Sequence, residues 1–173
     1  MAIYQFSFGT ASLPDDTFEV VKATGVEGLS RLFEYRITAI TAQVDLDVAS
    51  ILRDSAVLTL TNTDYSNEVR IRGIVAQCEV GALLPSNKVL FHLTLVPQVQ
   101  ALTLNVQCQV YQDKSIPDIV RALLTENGLQ EGKDFRLALT KTDYPVLEYV
   151  VQYQESDWAF ISRLLEHVGI YYY

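Results

Sequence analysis

Histidine and cysteine are nearly missing from this chain, with two of each among 173 residues. His92 and His167 lie far apart, as do Cys78 and Cys108, and neither C-x-x-C nor H-x-x-x-H occurs. Metal centres draw ligands from such short paired spacings, so no metal site is expected. Both cysteines fall in predicted strands and read as buried free thiols, not as a disulfide. Basic residues are also short: 13 against 21 acidic side chains leave a net charge of −8, with no Lys/Arg cluster. Such a surface repels phosphate backbones and argues against nucleic-acid binding. The ten tyrosines lack the basic neighbours that a base-stacking platform needs. P-loop, G-x-S-x-G and G-x-G-x-x-G motifs are absent, so neither a cofactor nor a small-molecule substrate is expected. No apolar run approaches the ~20 residues that span a bilayer. Met1 to Gly9 alternates apolar and polar residues without a basic start, which reads as a first strand and not a signal peptide.

What is present is a chain built to pack: 49% apolar and 20% charged, without Gly/Ser linkers or low-complexity tracts. Residues 3–9 and 16–24 read as strands around a Pro14-Asp15-Asp16 turn. Gly25 to Ser30 reads as a loop feeding a third strand, Leu32 to Ile40. Asp47 caps a short helical turn from Val48 to Leu52, Ala56 to Thr61 is a strand, and Thr63 to Asn67 is a polar turn. Val69, Ile71, Ile74 and Val75 make a long strand with Gly73 as a bulge where alternation slips by one. Val89, Phe91, Leu93 and Leu95 alternate cleanly up to Pro97, as in a sheet with one buried face. Leu102 to Tyr111 is a further extended stretch.

The pattern then changes. Ser115-Ile116-Pro117-Asp118 is a capping box with proline in the first turn, and it opens a helix. That helix buries Ile116, Ile119, Val120, Leu123 and Leu124 and stops at Asn127-Gly128. A domain boundary is therefore placed near Gln112, giving 1–111 and 112–173. The last twenty-five residues read as strand, cap, helix, stop and strand. Tyr149, Val151 and Tyr153 share one face, and Ser156 caps a helix with Asp157 near its positive end. Trp158, Ile161, Leu164, Leu165 and Val168 form the apolar stripe. Gly169 suits the left-handed stop, and Ile170 to Tyr173 begin another strand.

Candidate chemistry is thin. Glu155 and Asp157, with His167, are the nearest thing to the acid and base of a hydrolase. Two residues apart at a helix start, the carboxylates point away from each other, and dipole stabilisation accounts for them. His92 alternates out of a strand, and His167 sits in the last helical turn, where a cation suits the dipole. No catalytic, cofactor-binding or metal residue is assigned on these grounds.

The final segment closely resembles the "QYxESDxxFxxRLLExxGIYYxF" block of the VgrG family of type VI secretion spike proteins. Val21, Gly25, Glu27, Leu29-Ser30 and Leu32-Phe33-Glu34-Tyr35 resemble its "GxExLSxLFxYxL" segment. Asp45-Leu46-Asp47 and Ile51-Leu52 stand at its "DLxxLLG" step, with Arg53 where the family usually has glycine. Arg72-Gly73-Ile74-Val75 resembles another strand of it. Val96-Pro97 resembles the family's "LxPxLWLL" strand end without the tryptophan. Cys108 to Val120 resembles "RIFQxKSVPDIV", with Cys108 replacing the arginine and Tyr111 the phenylalanine. The resemblance implies an α+β, mainly β fold: an N-terminal β-barrel of the phage tail hub type, then the start of a mixed domain. It further implies a non-enzymatic subunit that forms a homotrimer around one axis and docks on the six-fold Hcp tube. Spike-tip and effector proteins would attach through parts absent here, such as the OB-fold and β-helix needle. Assembly in the bacterial cytoplasm and export through the type VI apparatus without a signal peptide follow from the same resemblance. The alternatives are a hub in another contractile device, such as a phage tail, and the hydrolase.

Overall fold

A computed structural model describes residues 4–62 and 67–173. The polar turn expected at Thr63 to Asn67 lies almost wholly outside the described residues. Two compact units emerge. One contains the described residues up to Gly28 and Leu32–Pro97; the other contains Leu29–Arg31 and Gln98–Tyr173.

The first unit is a curled six-stranded antiparallel sheet. Its strands are β1 (Tyr4–Thr10), β2 (Glu19–Gly28), β3 (Arg31–Thr41), β4 (Ser55–Asn62), β5 (Asn67–Leu83) and β6 (Val89–Val96). They lie in the order β1-β4-β5-β6-β3-β2, and a bridge between Phe8 and Phe18 brings the first strand against the chain that leads into β2. Curling gives the sheet an inside, and the period-two pattern fills it. Phe8, Ile37, Leu58, Val75, Phe91, Leu93 and Leu95 are all buried there. Phe18 packs edge-on against Phe91, with ring centroids 5.7 Å apart. Asp47 caps the single-turn helix α1 (Val48–Ile51) by accepting from the Ala49 N–H, and Ile51 fills the core beneath it.

Two expectations fail here. Gly25 to Gly28 are not loop but the end of β2, and only Leu29 and Ser30 connect it to β3. Gly25 is small because the Tyr35 ring lies over it: a Cβ there would sit 2.2 Å from the ring. Nor is Gly73 a bulge. It pairs in register with Ala56, and Ile71, Gly73 and Val75 keep one facing. A Cβ at Gly73 would meet the Val96 carbonyl oxygen at 2.1 Å, so the glycine permits a close backbone approach. The register shift falls between Val75 and Gln77, where β5 bends along β6.

The second unit begins with a 3₁₀ turn (Gln98–Thr103) in place of the start of an extended stretch. It continues through β7 (Val106–Lys114), α2 (Ile116–Glu126), β8 (Leu147–Ser156) and α3 (Asp157–His167). Because β7 pairs with β8 and not with the six-stranded sheet, the compact units divide at Pro97–Gln98. The boundary read near Gln112 falls inside that strand pair. Ser115 caps α2 by accepting from the Asp118 N–H, and its hydroxyl donates to the Asp118 carboxylate. That bond, helped by Arg121, holds the Asp118 carboxyl below its ordinary value. All five expected residues of the α2 stripe are buried, and Gly128 takes the left-handed φ of 84° that ends the helix.

On α3 the stripe is shifted from the expected one. Phe160, Ile161, Leu164 and Leu165 are buried, whereas Trp158 is half-buried, edge-on to Tyr172 at 5.0 Å. Phe160 stacks on Tyr111, with centroids 5.6 Å apart. Ile170 to Tyr173 follow the left-handed Gly169 but form no strand. Ile170 and Tyr172 pack inward, and the Tyr172 carbonyl accepts from the Ser30 N–H at 2.8 Å.

Candidate functional site

The three side chains of the hydrolase alternative are not brought together. Glu155 is committed to Arg163, whose guanidinium lies 2.7 Å from its carboxylate and also donates to the Val151 carbonyl. Asp157 is fully buried. His167 is exposed at the far end of α3, roughly 15 Å along the helix from Asp157 at 1.5 Å per residue. His92 is exposed on β6, with its Nδ1 3.4 Å from the Thr38 hydroxyl. Among the described residues, no group of three or more His, Cys, Asp or Glu could hold a metal. Cys78 and Cys108 are both free, and only the first matches the buried reading: Cys78 is half-buried, which raises its thiol pKa, and Cys108 is exposed.

Asp157 sits in the first turn of α3, as expected of a dipole partner, and it has a second part. Its carboxylate accepts from four side-chain amides: Asn105 at 2.6 Å, Asn127 at 3.0 Å, Gln152 at 2.8 Å and Gln107 at 3.5 Å. Charge-assisted bonds of this kind replace the water a buried carboxylate loses. The network extends outward along β7. Gln109 donates to Gln107 at 2.6 Å, and the Tyr111 hydroxyl donates to Gln109 at 2.7 Å. Burial, with the charges of Glu126 and Asp157 adding, pushes the Tyr111 hydroxyl up to about 12. Asn127 also donates to the Leu123 carbonyl, so one amide ties the end of α2 to the start of α3. Asn105 and Gln107 carried no sequence signal as partners of Asp157, because they lie 52 and 50 residues away; Gln152 is five residues away but across the junction of strand and helix, where neither period applies.

This network occupies the inner face of the β7–β8 ribbon, and it inverts the usual polarity. The inward rows are Gln109 opposite Gln152 and Tyr111 opposite Val150. The outward rows are Cys108 opposite Tyr153, Val110 opposite Val151 and Gln112 opposite Tyr149, with Val106 on the same side. These outward residues are exposed: Val106 by 66%, Val110 by 60%, Tyr149 by 65% and Tyr153 by 69%. Exposed apolar residues grouped in this way are a feature of contact surfaces in general. Open polar depressions do exist, one lined by Lys22, Arg36, Glu79 and His92 on the first unit. Its charged groups do not converge on one point: Arg36 is paired with Glu34 at 2.8 Å.

The profile of the phage tail baseplate hub (GPD) family matches residues 26–173. The chain is 33% identical over 158 residues to the type VI secretion system spike protein VgrG1b of Pseudomonas aeruginosa, covering 91% of this chain and 20% of that one. It is 30% identical to VgrG3 of Vibrio cholerae, covering 99% of this chain and 17% of the relative. Among solved structures it resembles an E. coli type VI secretion component described as structurally similar to the T4 tail proteins gp27 and gp5. That likeness has a TM-score of 0.84 at 28% identity, over 96% of this chain and 44% of the other. The chain thus spans about a fifth of the length of the curated relatives it matches. A Neisseria meningitidis tail protein shares the fold, with a TM-score of 0.61 at 12% identity. The chain belongs to the phage tail baseplate hub family, as a hub segment of the VgrG type.

Proposed function

We propose that this chain is a non-enzymatic structural segment of a type VI secretion spike, which trimerises and seats on the end of the Hcp tube. The observation that carries the reading is the likeness to the E. coli type VI component over 96% of the chain. The candidate acids support it, since Glu155 and Asp157 are spent on structural bonds. A three-fold hub on a six-fold ring is a symmetry match, in which each copy meets the ring at repeated positions. Spike-tip and effector proteins would engage parts of the relatives that lie beyond the matched fifth, and export would follow the assembled spike. Light scattering on the purified chain, followed by co-sedimentation with Hcp rings, tests this. A trimer that sediments with the rings is expected. A monomer that ignores them overturns it, as does turnover by the chain that vanishes in a Glu155, Asp157 or His167 variant. The family's own description favours a second reading, in which the same hub serves another contractile device such as a phage tail.

A further inference from the structure

In an ordinary half-covered sheet the apolar side is the covered one. The β7–β8 ribbon does the opposite, and it has no freedom to turn over. Its inner glutamines are bonded to one another and to the buried Asp157 carboxylate. A two-stranded ribbon is marginal by itself, so its outward apolar side is the face for which a cover is missing.

We propose that copies of this chain meet on that face, with the β8 row of one copy seated on the β7 row of the next. The inference rests on the trimer reading above and deepens it by naming the surface. Charge is the first argument for a second copy. Val106, Cys108, Val110, Tyr149, Val151 and Tyr153 carry no formal charge, in a chain whose net charge is −8. Two acidic copies repel over most of their surfaces, and here they can meet without bringing carboxylates together. Shape is the second argument. On β8 the row reads Tyr149, Val151, Tyr153, and the β7 residues paired with it are Gln112, Val110 and Cys108, with Val106 beyond them. From Val110 to Val106 a low row lies beside the taller β8 row, with Gln112 at one end, so that stretch is complementary to its own neighbour when copies follow head to tail. Such heterologous contacts close into a ring under three-fold rotation. Tyrosine suits the place, because its ring can be buried while its hydroxyl stays wet.

Cys108 makes the face measurable. It is exposed in the single chain, lies opposite Tyr153, and its sulfur accepts a hydrogen bond from the Gln154 N–H at 3.4 Å. Cys78, half-buried against the first core, serves as the internal reference. The experiment is maleimide labelling of the whole chain across a concentration series, read peptide by peptide, beside light scattering. Tyr153→Asp and Val110→Asp accompany it, since both positions are exposed and the fold should survive, checked by melting temperature. The expected result is a trimer in which Cys108 labels about tenfold more slowly than in the dilute chain. Either substitution should weaken assembly about tenfold or more while leaving the melting temperature of the dilute chain unchanged. A trimer with freely labelled Cys108, unaffected by the substitutions, overturns this surface and leaves the trimer reading standing. A dimer that protects Cys108 overturns the head-to-tail arrangement. A monomer at every concentration overturns both.

Discussion

The curled sheet and the β7–β8 ribbon use the same period-two alternation to opposite ends. On β6 the apolar set Val89, Phe91, Leu93 and Leu95 points inward and is buried, and His92 points out. On β7 and β8 an apolar set points out, and the inside holds Gln107, Gln109 and Gln152 beside Tyr111 and Val150. Alternation therefore decides which residues share a face; it does not decide which face is covered. In the first unit the sheet curls onto itself and supplies its own cover. In the second, two helices cover one side of the ribbon, and what that side must accommodate is a buried carboxylate.

The widest contrast between the two regions lies in truncation. Phe91→Ala in the first core and Phe160→Ala in the second each empty a site that is at least 99% buried, and should cost roughly 3–5 kcal/mol. Val110→Ala on the outer ribbon face should change the stability of the dilute chain by less than about 0.5 kcal/mol. Urea unfolding of the three variants checks this. A large cost at Val110 in the dilute chain would mean that the ribbon face is already covered within one chain. Trp158→Ala should fall well short of Phe160→Ala, since Trp158 is only half-buried.

Next in size is the carboxylate that sets the ribbon's polarity. Asp157→Ala leaves four amides without their acceptor in a buried site, and should cost roughly 2–4 kcal/mol. Asp157→Asn, which keeps the shape but loses the charge, should cost less. The nearest counterpart in the first unit, the Asp54 carboxylate, is only partly buried, so that unit should depend less on any one polar side chain. Equal, small losses for Asp157→Ala and Asp157→Asn in a denaturant titration would show that the amides readily find other partners.

A smaller effect comes from acid and belongs to the first unit. Burial pushes the Asp54 carboxyl up, but the Ser12 hydroxyl at 2.6 Å and the Ser12 N–H at 2.8 Å, with Thr10 and Ser55, bring it below its ordinary value. A depressed folded-state pKa means stability that is present above the unfolded value and lost as pH falls through the folded one. Asp54→Asn should therefore melt below the parent near neutrality, with the gap closing from about pH 4 downward. A gap that stays constant to pH 2 would remove Asp54 as its cause.

Much of this was legible in the sequence. The capping box at Ser115 and the α2 stripe were readable because they are local, with partners three or four residues apart. The β6 alternation was readable for the same reason. Gly73 misled because Ile74 and Val75 are both apolar neighbours: the inward position was the glycine, whose reason is a carbonyl on another strand. Trp158 drew the stripe toward itself by size, while Phe160, two positions on, found the stacked Tyr111. The ribbon inversion was illegible because Asp157 recruits its amides from Asn105, Gln107, Asn127 and Gln152, distances no periodicity encodes. The VgrG resemblance supplied the family, and local pattern could not have done so.

The smallest effect is a backbone one, at Arg53. Its φ is 65°, in the left-handed region where a Cβ crowds the carbonyl. The residue sits just after α1, and its N–H donates to the Val75 carbonyl at 2.8 Å, so the turn is held in place whatever the side chain. The guanidinium makes no hydrogen bond or ion pair among the described residues, so replacing it removes no polar contact. Glycine relieves the local crowding, which is worth about 1–2 kcal/mol, but it gives back part of that through the greater freedom of the unfolded chain, about 0.5–1 kcal/mol. Arg53→Gly should therefore stabilise by about 0–1 kcal/mol, and Arg53→Ala should not, because alanine keeps the Cβ. Gln154 tests whether the ribbon obeys the same rule. Its φ is 49°, and Gln154→Gly should gain by the same amount in the dilute chain. If Arg53→Gly and Arg53→Ala shift the urea midpoint equally, the side chain and not the backbone governs that turn, and the left-handed argument fails for it.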